Sequence, residues 1–408
     1  MRRVIFLDNL RYLMVLLVVV LHAAISYGNF VPWWCVKDTG SVFIDILLLA
    51  LDSFLMPVLY FIAGYFALPS FQQKGVGRFL QAKLTRLGLP VLIVVPLISP
   101  TWAYLYHYTR NGASYPLTFP EYWAAYMKRA GDFHVGVIKS IDHFGQSHLW
   151  FMSLLLCFFV GFALVAGRKN HTTTAPKMES RSADSSGNSI LLILLIVGVL
   201  STLSTFAAKL MFAGPSNPQP WISIGPLLLF QPERIIMYLL FFIMGVTAFR
   251  QQWFTRSTIP GHAAVWWGSA LLFFFSVLAI LKPLMGNFSE GKLLVFVFFR
   301  TFFCVWLLIA FSKSAAARWN QASRISTRLA QNSYHIYIVH FLIVILLQLA
   351  LSYWPGGFVP VKFGIVALVS IAVSYGVSHY LIRPYPKRSV AGIYTLFIAV
   401  LVLTGYAG

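Results

Sequence analysis

The sequence predicts an all-α integral membrane protein, a polytopic bundle of ten or eleven transmembrane helices, and three observations lead to this fold class. The chain has 408 residues, of which 59% are hydrophobic and only 10% are charged, whereas soluble domains carry about 25% charged residues. Long apolar segments recur along its whole length. The formal net charge of +20 would also suit a nucleic-acid-binding protein, but the hydrophobic fraction favours a membrane protein with basic cytoplasmic loops.

Eleven segments are apolar and long enough to cross a bilayer, which takes about 20 residues per helix. In chain order they are 12–28, 43–68, 87–106, 148–167, 189–212, 233–249, 262–282, 293–311, 333–352, 363–382 and 390–406. The third contains Pro90, Pro96 and Pro100, so we expect it to be kinked or broken. The apolar stretch 221–230 is too short to span and is expected to re-enter the membrane or to lie at its interface.

The basic residues predict the orientation of these spans. Of the 31 Lys and Arg residues, 19 fall on the side that holds the N-terminus, eight on the opposite side and four within spans. This bias predicts a cytoplasmic N-terminus, an inner-membrane location and an outside C-terminus. Residues 1–28 would also fit a cleaved signal peptide, but the many later spans favour a retained first helix.

Two polar segments interrupt what we predict to be a single domain over residues 1–408. The segment 107–147 is predicted to be an extracytoplasmic loop, and its aromatic residues and carboxylates suit either sugar binding or an interfacial cap. The Ser/Thr-rich segment 168–188 is predicted to be a flexible cytoplasmic linker. The widely spaced cysteines indicate neither a zinc site nor a disulfide framework, and we expect Cys157 and Cys304 to be core residues.

The first span combines Arg11 with His22, eleven residues apart. At 100° per residue the two side chains share a helix face, and at 1.5 Å per residue they are about 16 Å apart along it. Asp8 lies one turn before Arg11 and is able to pair with it. A membrane anchor with a structural histidine is the alternative, but the alignment of two such costly residues favours a functional role.

Other polar residues in the spans allow both a structural and a functional interpretation. Asp45 and Asp52 share a face of the second span and could neutralise Arg11 or Arg300. Arg300 is flanked by aromatic residues and therefore needs a buried partner. His335 lies on the ninth span with His340, and a lone histidine on a helix is more often structural.

Two further features lie at the starts of spans. Glu233 and Arg234 open the sixth span, where a simple surface pair is the default. His148 begins the stretch HLWFM, in which Trp150 would suit an interfacial aromatic belt.

In their order along the chain these features resemble the integral-membrane acyltransferase 3 family, and most closely its branch of glucan biosynthesis C proteins, which succinylate periplasmic glucans. The stretches that carry the resemblance are Arg11 with His22, MPVLYFIAGYF (56–66), KLTRLGLP (83–90), HLWF (148–151), QPERIIMYLLFFIMG (231–245) and NSYHIYIVH (332–340). Many members of the O-acetyltransferase branch carry a Glu shortly after the HLW stretch. Residues 148–159 contain no acid, which favours the glucan branch.

The resemblance implies an enzyme that moves a succinyl or acetyl group from cytoplasmic acyl-CoA to hydroxyls of an extracytoplasmic glycan. It implies acyl-CoA as a donor substrate, with no permanently bound cofactor, no metal and no nucleic acid. The implied catalytic residues are His22, Arg11 and Asp8, the donor-binding residues are Lys83, Arg86 and Arg300, and the acceptor-binding residues are His148, Trp150, Glu233, Tyr337 and His340. The alternative is a transporter or flippase that moves a glycan or lipid without acylating it.

Overall fold

The computed structural model of the protein describes residues 4–171, 187–214, 217–254 and 259–406. Ten helical segments in these ranges are long and apolar enough to cross a membrane. One of them, Val42–Asn111, is 70 residues long and contains two helices joined by a π-helical turn at Leu84–Gly88. The predicted polytopic helical fold is therefore confirmed.

The described ranges contain twelve α-helices. Their bounds are α1 (Ile5–Ile25), α2 (Val42–Lys83), α3 (Leu89–Asn111), α4 (Phe119–Lys128), α5 (Trp150–His171), α6 (Gly187–Phe212), α7 (Pro232–Arg250), α8 (Ala263–Gly286), α9 (Glu290–Arg318), α10 (Arg324–Ser352), α11 (Val359–Gly376) and α12 (Pro386–Tyr406). Helix α1 is central, because it packs against α2, α9, α10 and α11.

Helix α1 begins at Ile5, seven residues before the predicted span. Phe6 and Leu7 are buried in the core, so the apolar face starts earlier than the long hydrophobic run suggests. As a result Arg11 lies within the helix, and His22 lies in its last turn. The segment that follows α1 folds back over this turn and buries Trp34.

The break expected at the prolines of the third span is absent. Helix α3 continues from Leu89 to Asn111 with Pro96 and Pro100 inside it. Pro90 lies in its first turn, where a missing N–H removes no helical hydrogen bond. The irregular backbone lies just before these prolines, in the π-helical turn.

A small antiparallel sheet lies at the end of the bundle where α3 ends, which we call the sheet end. It consists of β1 (Val135–Val137), β2 (Ile222–Ile224) and β3 (Leu228–Phe230) in that order. The stretch 221–230 is thus a hairpin rather than a re-entrant helix, and its three-residue strands are too short to cross a bilayer.

The predicted outside loop 107–147 is mostly ordered. Its first residues extend α3, and it contains α4 and β1, which pairs with the hairpin. Thr118 and Glu121 cap α4 with reciprocal hydrogen bonds. The segment is therefore a folded cap on the sheet end rather than an open loop.

The ends of the predicted cytoplasmic linker continue the neighbouring helices. Residues 168–171 belong to α5, and residue 187 begins α6. Residues 172–186 lie outside the described ranges. Cys304 is buried as expected, but Cys157 is exposed on the bundle's outer surface, where an apolar side chain faces lipid.

Helices α2 and α7 approach each other closely at two glycines. A Cβ atom on Gly64 would lie 2.0 Å from the carbonyl oxygen of Phe242, and one on Gly245 would lie 2.1 Å from that of Phe61. Small residues allow such close backbone contact between membrane helices. This contact holds α2 and α7 together. Asp52 of α2 and Arg234 of α7, whose ion pair is described below, lie on these two helices.

Candidate functional site

Three imidazole rings meet near the sheet end of the bundle. His22 comes from α1, His340 from α10, and His148 from the turn that precedes α5. The ring centroid of His340 is 5.1 Å from that of His22 and 5.2 Å from that of His148. His148 and His340 are buried, whereas His22 is partly exposed. We call these three residues the histidine cluster.

The hydrogen bonds of the cluster define which nitrogen of His22 is basic. Nδ1 of His340 lies 3.1 Å from the carbonyl oxygen of Ile336, which only accepts, so this nitrogen carries the proton. In the neutral ring Nε2 of His340 is then an acceptor, and it lies 3.2 Å from Nδ1 of His22. The carbonyl of Val18, 3.0 Å away, is a second acceptor for that nitrogen. Nδ1 of His22 is therefore the donor, and its Nε2 keeps a free lone pair.

The same reasoning applies to His148. Its Nε2 lies 3.3 Å from the carbonyl oxygen of Ile338, so the proton sits on Nε2. Nδ1 is then an acceptor, and it is buried without a hydrogen-bond partner. The cluster thus contains two acceptor nitrogens, Nε2 of His22 and Nδ1 of His148, and the second is buried.

Side chains from the segment after α1 and from α10 hold the cluster in place. The indole of Trp34 donates to the side-chain oxygen of Gln348 at 2.8 Å, and Gln348 donates to the carbonyl oxygen of His22 at 2.9 Å. Phe341 stacks on His148 with centroids 4.4 Å apart. These contacts hold the last turn of α1 and the ring of His148 in place.

A cavity of about 230 Å³ lies between α1, α2, α5 and α10. Asp8, Arg11 and Val15 line it from one face of α1, the face that continues to His22. Phe151 and Tyr337 line it near the histidine cluster. The cavity therefore runs along α1 toward the cluster, although none of the three histidines is in its lining.

The other end of the cavity is basic. Lys83 and Arg86 line it, and both lie where α2 passes into the π-helical turn. Lys83 Nζ sits 3.8 Å from the ring centroid of Phe159, and Arg86 lies over the ring of Tyr334. Arg11 forms an ion pair with Asp8 at 3.1 Å, as the sequence predicted. We call this the basic end of the cavity.

Aromatic rings continue from the histidine cluster on another side. Trp150, two residues after His148, stacks with Tyr238 at 5.9 Å and meets Trp221 edge-on at 5.4 Å. Trp221 directly precedes β2. Trp150 is thus part of a three-ring wall between α5, α7 and the sheet, rather than an isolated belt residue.

Two predicted site residues, Arg300 and Glu233, lie away from both the large cavity and the histidine cluster. Arg300 Nη2 contacts Asp52 Oδ2 at 2.6 Å, and Arg234 holds both oxygens of the same carboxylate at 2.7 Å. Glu233 is buried and contacts Lys209 Nζ at 2.5 Å. The surface pair expected for Glu233 and Arg234 is therefore wrong, because both side chains point into the bundle.

Asp45 and His335 have local partners. Asp45 accepts from the backbone and side-chain N–H groups of Asn29 and so neutralises neither arginine. His335 Nδ1 lies 3.4 Å from the hydroxyl of Ser378. His335 thus fits the structural role that the sequence allowed, whereas the neutralisation of an arginine allowed for Asp45 is not found.

The cap over the sheet end has its own polar network around Asp142. Burial alone would raise the pKa of this carboxyl, but hydrogen bonds from Tyr122 and His107, with Arg129 nearby, hold the pKa below its ordinary value. Burial, and then the nearby His134, lower the pKa of His143, whose Nε2 lies 2.9 Å from the Ser223 hydroxyl in β2. These contacts fix the cap to the sheet.

Several residues of the site were not found by sequence reasoning. Gln348 is an uncharged polar residue inside a span, a signal that was available but not weighed. Trp34 and Phe341 belong to aromatic-rich stretches, and only the fold brings them to the cluster. Among the described residues, no group of three or more His, Cys, Asp or Glu side chains is placed to hold a metal ion.

Comparison with known proteins adds independent information. The profile of the family described as "Acyltransferase domain" matches residues 4–379. The chain is 25% identical over 249 residues to Glucans biosynthesis protein C of Salmonella heidelberg, an alignment that covers 60% of this chain and 58% of that protein. It is also 25% identical over 152 residues to the protein of the same name from Salmonella paratyphi B, covering 37% of this chain and 36% of the relative.

The chain thus spans less than two thirds of the length of these relatives. No solved structure matches it. The family profile, by contrast, covers every residue of the histidine cluster and every residue that lines the cavity.

Proposed function

The chain belongs to the acyltransferase domain family whose profile spans residues 4–379, and from this premise we propose that it is a membrane-bound O-acyltransferase. In this proposal it transfers a succinyl or acetyl group from acyl-CoA to a hydroxyl group of an extracytoplasmic glycan. The basic end of the cavity faces the cytoplasm, in agreement with the distribution of Lys and Arg along the chain. The histidine cluster then lies toward the outside.

One observation carries the proposal: a single cavity runs from basic side chains to Tyr337, which contacts the histidine cluster. Lys83 and Arg86 line one end, and Tyr337, whose hydroxyl donates to the carbonyl of His148, lines the other. Phosphate groups favour Lys and Arg partners, and the apolar walls between suit an extended chain. A donor with phosphates at one end and a thioester at the other therefore fits this cavity.

In the proposed reaction His22 is the general base and His340 supports it. Nε2 of His22 accepts the proton of the acceptor hydroxyl as the oxygen bonds to the acyl carbon. The carbon–sulfur bond breaks, and the departing thiolate takes the proton from His22. His340 accepts a hydrogen bond from Nδ1 of His22 and stabilises the imidazolium that forms between these two proton transfers.

Arg11 acts on the donor rather than on the reacting carbonyl. Its position about three helical turns before His22 places it roughly 16 Å from the reaction centre. It lines the basic end of the cavity together with Asp8, which orients the guanidinium through their ion pair. We therefore assign Arg11 and Asp8 to binding of the donor's phosphate-bearing end.

The acceptor approaches from the aromatic wall. The apolar faces of sugar rings pack well on aromatic side chains, and Trp150, Trp221 and Tyr238 form such a surface beside His148. Relatives of this chain are named for glucan biosynthesis, which supports a glucan as the acceptor class.

The test compares the wild-type protein with His22→Gln, purified and supplied with acyl-CoA and oligosaccharide. Mass spectrometry of the glycan measures acyl transfer. We expect its rate to be about 10²–10⁴-fold lower in His22→Gln than in the wild type, the usual contribution of a general base. A folded His22→Gln protein with unchanged transfer would contradict the proposal. Translocation of unmodified glycan that depends on His22 would instead support the transporter alternative.

A further inference from the structure

A second, smaller cavity lies apart from the proposed donor site, between α2, α6, α7 and α9. Its volume is about 20 Å³, enough for one molecule or ion of about the size of water. Glu233, Arg234, Arg300 and Thr205 contribute to its lining. None of these residues lines the larger cavity.

The ionised side chains around this cavity do not balance. Asp52 and Glu233 carry two negative charges. Their ion-pair partners Lys209, Arg234 and Arg300 carry three positive charges. The network therefore has a formal charge of +1, and an uncompensated charge inside a membrane protein is costly.

Two buried donors in the lining also lack hydrogen-bond partners. Nε of Arg234 lies 3.5 Å from Glu233 Oε1, close enough for an ion pair but without hydrogen-bond geometry. Within the described ranges the hydroxyl of Thr205 has no hydrogen-bond partner. Arg234 is 5% exposed and Thr205 is 8% exposed. A water molecule would satisfy the donors, whereas an anion would satisfy them and also compensate the charge.

We propose that this cavity binds a small monovalent anion, either a halide ion or a carboxylate group. Nε of Arg234 and the hydroxyl of Thr205 would donate to it, and Arg300 would add charge attraction. The bound anion would neutralise the network and stabilise the packing of α2, α6, α7 and α9. The proposal does not depend on acyl transfer, so either one can fail without the other.

The experiment measures thermal unfolding of the purified full-length protein in detergent at constant ionic strength. Sodium gluconate, whose anion is too large for the cavity, is replaced stepwise by chloride, bromide or formate. We expect the unfolding temperature to rise and then saturate with at least one small anion, because a ligand that binds only the folded state stabilises it. Tighter binding of halides than of formate would identify the occupant as a halide, and the reverse order would identify a carboxylate.

Thr205→Val supplies the site-specific arm, since it keeps the side-chain shape and every charge. We expect the midpoint of the anion titration to rise about tenfold, as expected for the loss of one hydrogen bond to a charged group. The control is Lys282→Gln, an exposed basic residue near the end of α8, which should leave the midpoint unchanged. The absence of any saturable effect, or identical titrations for wild type and Thr205→Val, would overturn the proposal.

Discussion

The hydroxyl of Tyr337 donates a hydrogen bond of 2.5 Å to the backbone oxygen of His148, while the ring of Tyr337 lines the large cavity. Tyr337 thus touches both the space assigned to the donor and the histidine cluster. Its ring also lies 5.9 Å from that of His340. A donor that reaches the cluster from the basic end must pass this side chain.

Tyr337→Phe separates the two contacts, because it keeps the ring and removes the hydroxyl. We expect kcat to fall about tenfold, since His148 loses a backbone anchor, and KM for acyl-CoA to stay the same. Steady-state kinetics with a fixed oligosaccharide acceptor would measure both constants. A raised KM with unchanged kcat would place Tyr337 in donor binding alone.

His340 is a positioning residue whose role can be tested with two substitutions. In His340→Gln the amide oxygen can still accept from Nδ1 of His22, whereas His340→Leu offers no acceptor. We expect Gln to keep a measurable fraction of activity and Leu to lose about 10²-fold or more. If both variants fold and lose activity equally, the hydrogen bond to His22 does not matter.

The sequence predicted the fold well because membrane helices are specified by local composition. All eleven predicted spans coincide with helices, and α1 and α10 start seven and nine residues earlier than predicted. The hairpin at 221–230 escaped prediction because its strands are only three residues long and its first strand pairs with Val135–Val137, more than 80 positions earlier in the chain. No local period reveals a pairing of that kind.

The candidate site was predictable only in its parts. The helix arithmetic places Arg11 and His22 on one face, and Arg11 does line the cavity that leads toward His22. The same arithmetic does not say which helices pack against α1. The contact of His22 with His148 and His340 could therefore be found only in the structure. Arg300 illustrates the reverse case, since its need for a buried partner was clear but Asp52 was only one of several candidates.

Lys83 and Arg86 should act on donor affinity rather than on chemistry. Because they line the end of the cavity distant from His22, we expect Lys83→Gln or Arg86→Gln to raise KM for acyl-CoA about tenfold and to leave kcat nearly unchanged. Arg328→Gln, an exposed basic residue at the start of α10, is the control and should change neither constant. A similar KM increase in the control would indicate a general effect of positive charge.

The contact of α2 with α7 sets a limit on substitution at Gly245. An added methyl group would lie 2.1 Å from the carbonyl oxygen of Phe61, so the helices must separate. We expect Gly245→Ala to destabilise the protein by about 1–3 kcal/mol, the usual cost of overpacking. Gly161→Ala in α5 is the control, since nothing lies within 4 Å of the added atom. Equal unfolding temperatures for the two variants in detergent would refute the tight contact.

The cap should loosen in mild acid because of His143. Burial, with His134 nearby, lowers the pKa of its imidazole in the folded protein, so the unfolded cap binds a proton more readily. The stabilisation by neutral His143 is complete above the unfolded pKa of about 6.5 and is lost as pH falls below that value. The lowered pKa of Asp142 keeps its carboxylate ionised throughout this window, so it adds no pH dependence there.

Hydrogen exchange of the amides in β1 and β2 measures this effect locally. After correction for the intrinsic pH dependence of exchange, protection should decrease between about pH 7 and pH 5 in the wild type. His143→Gln removes the titrating group and keeps a donor for the Ser223 hydroxyl, which lies 2.9 Å from the imidazole. Its protection should therefore be nearly independent of pH. An equally steep decrease in this variant would assign the transition to another group.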